Sequence, residues 1–221
     1  MKILIINGGP RRGNTWLLTE RAREMLAAFD PAIVFREAHL SDLALPFCTG
    51  CSGCFRGGHR TCPHNEAVQP VMDWIEDSDG VIFSVPCFQG HLPGILKNFT
   101  DHMAFLLHRP RYFTKKALII STAGAVFAKS TTKALAATLA GWGFNKCYQL
   151  PVAALSWNAY EPTERDLRKT HRVTKRFYLD LRSGKMHAPG IPLPPAKRVV
   201  GRLVYLVGKR LAKSMVVTYK K

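Results

Sequence analysis

The sequence has few acidic residues and lacks the segments that direct or anchor a protein. It contains 15 Asp and Glu against 32 Lys and Arg, which gives a net charge of +17 at pH 7. No apolar run reaches the length that a membrane-spanning helix needs, and the N-terminus lacks the charged region, apolar stretch and cleavage site of a secretory leader. We therefore expect a globular, cytoplasmic protein.

Patterns typical of other nucleotide-binding and hydrolytic enzymes are also missing. The glycines follow neither the three-glycine dinucleotide pattern nor a Walker loop, since no Gly-Lys-Ser/Thr follows at the required spacing. We find no Ser/His/Asp arrangement and no pair of carboxylates suited to acid–base work. We therefore expect that no side chain needs to act as a catalytic acid or base.

The positive charge is concentrated near the C-terminus. From Thr163 onward, 16 Lys and Arg stand against three acids, a surplus of +13. The first three quarters of the chain are close to neutral, as an enzyme domain usually is. Nucleic-acid binding would rest on this basic tail alone, and no recognisable nucleic-acid motif accompanies it. We therefore expect no specific nucleic-acid partner.

Short β-rich runs alternate with helical patterns, which is typical of a parallel sheet covered on both faces. The strands are expected near 2–7, 32–38, 80–86, 116–122 and 146–153, and the helices near 14–29, 66–78, 91–108, 130–142 and 163–183. We predict an α/β fold with a flavodoxin-like, doubly wound, five-stranded parallel sheet over residues 1–185. In such folds the ligand lies beyond the carboxyl ends of the strands, at the switch point beside the first strand.

Two further segments follow the predicted sheet. Residues 186–196 contain a proline-rich run and are predicted to be an extended linker. Residues 197–221 place apolar side chains on one helical stripe with Lys and Arg around it, which predicts a basic amphipathic helix. We expect this C-terminal helical extension to dock on its own domain or to pack in a dimer; peripheral contact with an anionic membrane surface is the alternative.

The loop after the first strand, residues 7–15, has the features of an anion cradle. Its glycines let the backbone approach a ligand, Asn14 and Thr15 add side-chain donors, and Arg11 and Arg12 add positive charge. Because the loop joins a strand to a helix N-terminus, we expect it to bind phosphate; the alternative is an ordinary βα loop with surface arginines. The residues assigned to this site are Gly9, Pro10, Arg11, Gly13, Asn14 and Thr15.

This loop resembles the Gly-Ser-Pro-Arg-x-x-x-Asn-Thr phosphate loop of the flavodoxin-like NAD(P)H-dependent FMN reductases, with Gly9 in place of the Ser. Residues 86–101 resemble the Pro-x-Tyr-x-Gly-x-x-Pro-x-x-Leu-Lys-x-Phe-x-Asp segment by which that family holds the flavin ring, with Phe88 in place of the Tyr. The small-residue turn after the fourth strand is a third, partial match. The resemblance implies flavin contacts from Pro86, Cys87, Phe88, Gln89, Gly90, Ser121, Thr122, Ala123 and Gly124.

Within the second segment, each side chain has an expected role. Phe88 offers a ring face to the flavin, and the backbone amides of residues 87–90 can donate to the carbonyl edge of its ring. We expect Cys87 to be a small buried thiol rather than a redox group. Lys97 and Asp101 stand one helical turn apart and are expected to form a surface ion pair.

Four of the six cysteines crowd into one short stretch, spaced Cys48-x2-Cys51-x2-Cys54-x7-Cys62. A chain of this size does not need disulfides to stabilise its fold, so metal binding or redox chemistry is the better interpretation of these cysteines. The two-residue spacings let thiolates converge on one metal centre, as in a bacterial ferredoxin run. The stretch also resembles the cysteine motif of the iron-sulfur flavoproteins, which implies a [4Fe-4S] cluster near FMN; zinc or free thiols are the alternatives.

The histidines of this stretch, His59 and His64, are expected to be solvated loop residues, although either could replace a lost thiolate.

The resemblance as a whole implies an FMN-dependent NAD(P)H oxidoreductase. Its electron acceptor would be a small molecule of flavin or quinone type or a protein, and the electrons would reach the acceptor directly or through a cluster. An electron-transfer or redox-sensing flavoprotein module without turnover is the alternative. We expect a homo-oligomer.

Overall fold

The computed structural model describes residues 1–155 and 160–187, which form one parallel sheet with helices on both faces. The strands are β1 Lys2–Asn7, β2 Val34–His39, β3 Gly80–Ser84, β4 Lys116–Ala123 and β5 Lys146–Ala153. They are hydrogen-bonded in the order β2-β1-β3-β4-β5, and every pair is parallel. The predicted flavodoxin-like fold is confirmed, with its switch point between β1 and β3.

The α-helices in the described residues are α1 Asn14–Phe29, α2 Gly53–Arg56, α3 Asn65–Asp77, α4 Gly94–His102, α5 Ala128–Gly141 and α6 Glu164–Ser183. Short 3-10 segments occupy Leu40–Leu43, His59–Thr61 and Ala104–Leu107. All but one of the predicted helices and strands agree with these bounds to within about two residues.

The exception is the helix expected at 91–108, which is wrong at both ends. His91 ends the turn at residues 88–91, residues 92 and 93 have no regular structure, and α4 starts only at Gly94, after Pro93. At the other end, the Met103 N–H is shared between the carbonyls of Phe99 and Thr100, both at 3.2 Å. This shared bond tightens the chain from α-helix into the 3-10 segment that follows.

Helices bury both faces of the sheet, which explains why β1, β3 and β4 are apolar along almost their whole length. Leu4 and Phe83 face a core shared with α3, α4 and α5. Ile5 and Ile82 face the opposite core, shared with α1 and α6. The predicted apolar face of α3 is buried, namely Val68, Val71, Met72 and Ile75.

A buried ion pair that the sequence analysis missed fixes α6 to the sheet. Lys116, at the start of β4, and Asp180 of α6 are only 3% and 8% exposed, and their charged atoms lie 3.1 Å apart. The Asp180 carboxylate also accepts hydrogen bonds from Tyr148 Oη at 2.8 Å and from His187 Nε2 at 2.7 Å. Each partner stabilises the ionised carboxylate, which has little contact with water.

These partners decide the pKa of Asp180. Burial alone would raise the pKa, but the hydrogen bonds from His187, Tyr148 and Lys116 outweigh burial and lower it. The stability that the carboxylate contributes is therefore complete above its pKa in the unfolded chain, about 3.9. It is lost as the pH falls through the lowered pKa of the folded state.

The predicted C-terminal elements lie almost wholly outside the described residues. Of the linker at 186–196, only residues 186 and 187 are described, and the basic helix at 197–221 is not. His187 and Asn145 exchange two hydrogen bonds, of 2.9 and 3.0 Å, which fixes the start of the linker beside β5. Within the described ranges, no helix combines the length and the apolar character that crossing a membrane requires.

Replacing Asp180 with Ala should lower the free energy of unfolding by about 3 kcal/mol at neutral pH, because Lys116 is left as an uncompensated buried charge. Chemical denaturation measures this loss, and the difference between the two proteins should shrink in acid. Glu24→Ala, which breaks the exposed pair of Arg21 and Glu24, should leave the midpoint nearly unchanged. Equal losses in the two variants would contradict this account.

Candidate functional site

Three loops meet beyond the carboxyl ends of β1, β3 and β4 and enclose a cavity of about 490 Å³. Three of the residues predicted to bind the cofactor, Gly9, Gly90 and Ser121, are not part of its lining. The other twelve line it, namely Pro10, Arg11, Gly13, Asn14, Thr15, Pro86, Cys87, Phe88, Gln89, Thr122, Ala123 and Gly124.

The lining includes three residues that the sequence analysis missed: Asn7, Trp16 and Ala154. Asn7 is 2% exposed, and its side chain shapes the loop after β1, because Oδ1 accepts from the Gly9 N–H at 3.1 Å. Its Nδ2 lies 3.2 Å from His39 Nδ1, which joins the ends of β1 and β2. A polar residue that ends an apolar strand just before a glycine pair was the available signal for Asn7; Ala154 had none.

The N-terminus of α1 meets the cavity without a side-chain cap. Gly13, which has no side chain to accept a hydrogen bond, occupies the N-cap position, and the first turn contains no acidic residue. The first amides of a helix have no partner within the helix and form the positive end of its dipole. A phosphate group would satisfy these amides, so the residues present fit the phosphate of a nucleotide cofactor.

Two threonines hold the first and third loops together. The hydroxyl oxygens of Thr15 and Thr122 lie 2.5 Å apart, and both side chains are buried. One hydroxyl hydrogen forms this bond, and the other has no acceptor among the described residues. A hydroxyl donor is therefore available to a ligand in the cavity.

The neighbouring residues Arg11 and Arg12 make different contacts. Arg11 lines the cavity. Arg12 instead donates to His39 Nε2 at 2.9 Å, lies 3.8 Å from the Glu37 carboxylate and stacks over the Trp16 ring at 5.4 Å. The charge that the sequence predicted for the phosphate site therefore comes from Arg11, while Arg12 braces the loop against β2.

Gly9 lies outside the cavity, where the loop after β1 packs against Pro86 of the loop after β3. A Cβ at this position would lie 2.9 Å from Pro86 Cγ, closer than side-chain carbons pack. Glycine at this position therefore lets the loops after β1 and β3 approach as closely as they do in this chain. Ser121 is fully buried within the sheet.

The chain after β3 forms a tight turn at residues 88–91. Phe88 and His91 exchange two backbone hydrogen bonds, of 3.0 and 2.9 Å. Between them, Gln89 and Gly90 have positive φ angles of 49° and 76°. Two successive positive φ angles are typical of a type I′ turn and favour glycine at the second position.

This turn corrects two expectations. Of the four backbone donors predicted at residues 87–90, Cys87 donates to the Thr122 carbonyl at 2.9 Å and Phe88 is used within the turn. Only the N–H groups of Gln89 and Gly90 lack a partner among the described residues. Cys87 is half-buried and lines the cavity, so the expectation of a small buried thiol was wrong, while the expectation that it has no redox role stays a prediction. The Lys97–Asp101 surface pair is confirmed, at 2.5 Å.

A second cavity, of about 430 Å³, adjoins the first, and both are lined by Pro10 and Phe88. Phe88 is 48% exposed and stands at the border of the two. The second cavity is mainly apolar, with Leu40, Leu43, Leu45, Phe47, Pro93 and Ile95 in its wall.

Hydrogen bonds from one asparagine of α4 hold the start of the loop that carries the cysteines, residues 44–64. Asn98 Oδ1 accepts from the Cys48 N–H at 3.0 Å, and Nδ2 donates to the carbonyls of Leu45 and Pro46 at 3.0 and 3.1 Å. The side chain is 8% exposed. Asn98 stands at a variable position of the family's segment, so the sequence carried no signal for this role.

The four cysteines lie within electrostatic range of one another on this loop. Cys48 and Cys51 are exposed, whereas Cys54 and Cys62 are half-buried. Burial raises the pKa of the Cys54 thiol, and the nearby charges of Cys62, Cys48 and Cys51 raise it further. Deprotonating such a group of thiols is favoured by a metal ion that binds the thiolates.

A tighter group of metal-binding side chains lies at the end of the loop. The donor atoms of Cys62, His64 and His102 all lie within 4.8 Å of one another, the one such group in the part of the chain that the structure describes. The expectation of solvated histidines was wrong, since His64 Nδ1 lies 3.0 Å from His102 Nε2. His59 stacks on the Phe105 ring, and burial lowers its pKa.

A model of the NADPH-dependent FMN reductase family matches residues 1–159. The chain belongs to this family. It is accordingly an NAD(P)H-dependent FMN oxidoreductase, and the matched range contains all three loops of the cavity as well as the loop with the four cysteines.

Curated relatives agree with the iron-sulfur branch of the resemblance. The chain is 27% identical to an iron-sulfur flavoprotein of Clostridioides difficile over 178 residues, 80% of this chain and 78% of that protein. It is 31% identical to an iron-sulfur flavoprotein of Archaeoglobus fulgidus over 102 residues, 46% of this chain and about half, 48%, of that protein. The structure is also similar to that of an FMN-dependent NADH-azoreductase from Bacillus anthracis in complex with FMN, with a TM-score of 0.57. The superposition covers 81% of this chain and 98% of the azoreductase chain. At 14% sequence identity, this similarity shows the fold alone.

Replacing Asn98 with Ala should loosen the start of the cysteine loop of this reductase. The Cys48 amide loses its acceptor, and one hydrogen bond is worth about 1 kcal/mol, so its hydrogen exchange should accelerate about fivefold to tenfold. Hydrogen exchange resolved by mass spectrometry measures the change. Lys97→Ala, the neighbouring residue on the exposed face of α4, is the matched control. The role of Asn98 is rejected if both variants protect the loop as the wild type does.

Proposed function

We propose that this reductase binds FMN in the cavity beyond β1, β3 and β4 and passes reducing equivalents from NADH or NADPH to an acceptor beside it. The observation that carries the proposal is the uncapped N-terminus of α1, which meets the cavity beside Arg11. Together they offer the amide donors and the positive charge that a phosphate monoester requires. When bound, FMN supplies the hydride chemistry, and the protein supplies position and electrostatics.

The turn at residues 88–91 is suited to the ring of the cofactor. The N–H groups of Gln89 and Gly90 can donate to ring carbonyls, and Phe88 offers an apolar face. Donors fixed in this way stabilise the negative charge that a flavin ring gains on reduction. No side chain is needed as a catalytic acid or base.

The acceptor proposed is a planar, largely apolar small molecule of flavin or quinone type. Its place is the second cavity, which borders the first at Phe88 and Pro10 and has a mainly apolar wall. A planar ring would bury apolar surface there and lie next to the flavin end of the first cavity. A protein acceptor is the alternative that the exposed Cys48 and Cys51 favour.

Cys48, Cys51, Cys54 and Cys62 are the residues that would hold a [4Fe-4S] cluster, which supplies one-electron transfer. Their spacing supports this assignment, and so do the names of the two curated relatives. Leu45 and Phe47, just before the first cysteine, line the second cavity. The loop is thus adjacent to the place proposed for the acceptor.

A homo-oligomer is the proposed assembly. Large apolar side chains are exposed in loops at the edge of the sheet that carries the cavities, namely Phe47, Phe88, Val126, Phe127 and Leu155. A second copy packed over this edge would remove them from water. We propose that residues 197–221 add a basic amphipathic helix to this assembly or to the chain's own surface.

Replacing Arg11 and Thr15 together with Ala should weaken FMN binding about a hundredfold or more, because two hydrogen bonds to a charged phosphate are lost, each worth about 1.5–3 kcal/mol. Flavin fluorescence titration gives the dissociation constant. Arg12→Ala is the matched control, since Arg12 contacts His39 and Glu37 instead of the cavity. Unchanged affinity in the double variant would reject the phosphate site.

The same preparations separate an enzyme from a module without turnover. FMN-loaded wild type should oxidise NADH or NADPH continuously when a soluble quinone is supplied, and the double variant should do so only at high added FMN. A single reduction of the bound flavin, with no further oxidation, would favour the electron-transfer or redox-sensing module instead.

Serine in place of Cys48, Cys51, Cys54 or Cys62 should abolish iron and labile sulfide together, while flavin stays bound, because a cluster needs all four thiolates. Iron and sulfide are assayed after anaerobic reconstitution. Cys147→Ser is the control, a thiol on β5 whose pKa burial raises to about 12. Reconstituted wild type that contains neither iron nor sulfide would leave the simpler flavin reductase.

A further inference from the structure

We propose that Cys62, His64 and His102 form a binding site for one Zn²⁺ ion, which joins the end of the cysteine loop to α3 and α4. The site is independent of the flavin and goes beyond the reductase function. Its three side chains come from three places in the chain: the end of the loop, the residue before α3, and the last residue of α4. One ion would therefore cross-link the end of the cysteine loop to α4, which are distant in the sequence.

The donor atoms are already close to the spacing of a tetrahedral zinc site. Zinc–nitrogen bonds of about 2.0–2.1 Å place two imidazole nitrogens about 3.4 Å apart. His64 Nδ1 and His102 Nε2 lie 3.0 Å apart, and Cys62 Sγ lies within 4.8 Å of both. To admit the ion, the two nitrogens would move apart by about 0.4 Å, and the sulfur would come within about 3.6 Å of each of them, with a water molecule in the fourth position.

The second ring nitrogen of His102 is held as it is in zinc-binding histidines. His102 is 4% exposed, and its Nδ1 donates to the Asn98 carbonyl at 2.9 Å. A carbonyl only accepts, so the proton of the neutral ring is on Nδ1 and the lone pair of Nε2 points at His64. Hydrogen bonding of the second nitrogen to a backbone carbonyl fixes the tautomer that a metal requires.

A simple His64–His102 hydrogen bond accounts for the 3.0 Å distance, but not for the thiol beside it. Cys62 is half-buried, and two imidazoles and a thiolate are a donor set that zinc binds. Binding displaces the thiol proton and moves the His64 proton from Nδ1 to Nε2. Because Cys62 is also a ligand of the proposed cluster, zinc and cluster exclude one another in a single molecule.

The test uses full-length, FMN-loaded protein purified in air and freed of metal with a chelator. Zn²⁺ is titrated in competition with a chromophoric chelator, and Co²⁺ is the spectroscopic probe. We expect one Zn²⁺ per chain, and a Co²⁺ complex with a thiolate charge-transfer band and the visible bands of a tetrahedral site. Cys62→Ser and His64→Gln should each weaken binding about a hundredfold or more.

Cys48→Ser and Cys51→Ser are the matched controls, because these exposed thiols belong to the proposed cluster and not to the zinc site. Full zinc affinity in both controls, with loss in Cys62→Ser and His64→Gln, supports the proposal. The proposal is overturned if wild type retains no zinc, if His64→Gln binds as wild type does, or if Cys51→Ser loses zinc as Cys62→Ser does. Since His64 and Cys62 are only half-buried, the result does not depend on whether His102 variants fold. None of these outcomes bears on flavin binding.

Discussion

Parallel pairing of β1 with β3 and of β3 with β4 is the constraint on which the site depends. Strands that run in one direction end at one edge of the sheet, so the three loops that follow them must meet there. The pairing also continues past β3, since Val85 donates to the Ile120 carbonyl and Cys87 to the Thr122 carbonyl. The turn at residues 88–91 therefore leaves the sheet already aligned with the end of β4.

The helices α1 and α6 differ in the capping of their N-termini. A cap or an acidic first turn would stabilise an isolated helix, and the chain has neither at the start of α1. In α6, by contrast, Thr163 and Asp166 form a complete capping box. The helix that meets the cavity thus begins without the stabilisation of a side-chain cap, and an anion that bound its first amides would supply stabilisation of the same kind.

One turn of α4 holds the loop that carries the cysteines at both ends. The Asn98 side chain binds the backbone around Leu45 to Cys48, where the loop starts. The Asn98 carbonyl orients His102, whose ring reaches His64 where the loop ends. Loop positions that are separated by many residues in the chain are thereby fixed against a single rigid element.

The sequence by itself determined the sheet and the rim of loops, because strands buried on both faces must be apolar and parallel strands end at one edge. The position of Gly9, which packs behind the loop against Pro86 instead of lining the cavity, was decided only by the tertiary structure. Only the tertiary structure decided that Arg11 faces the cavity while Arg12 turns to Glu37, since adjacent side chains with the same chemistry give no pattern to read. It also decided that His64 meets His102, 38 residues away along the chain. A contact of that kind follows from how helices pack on a sheet, and no local spacing encodes it.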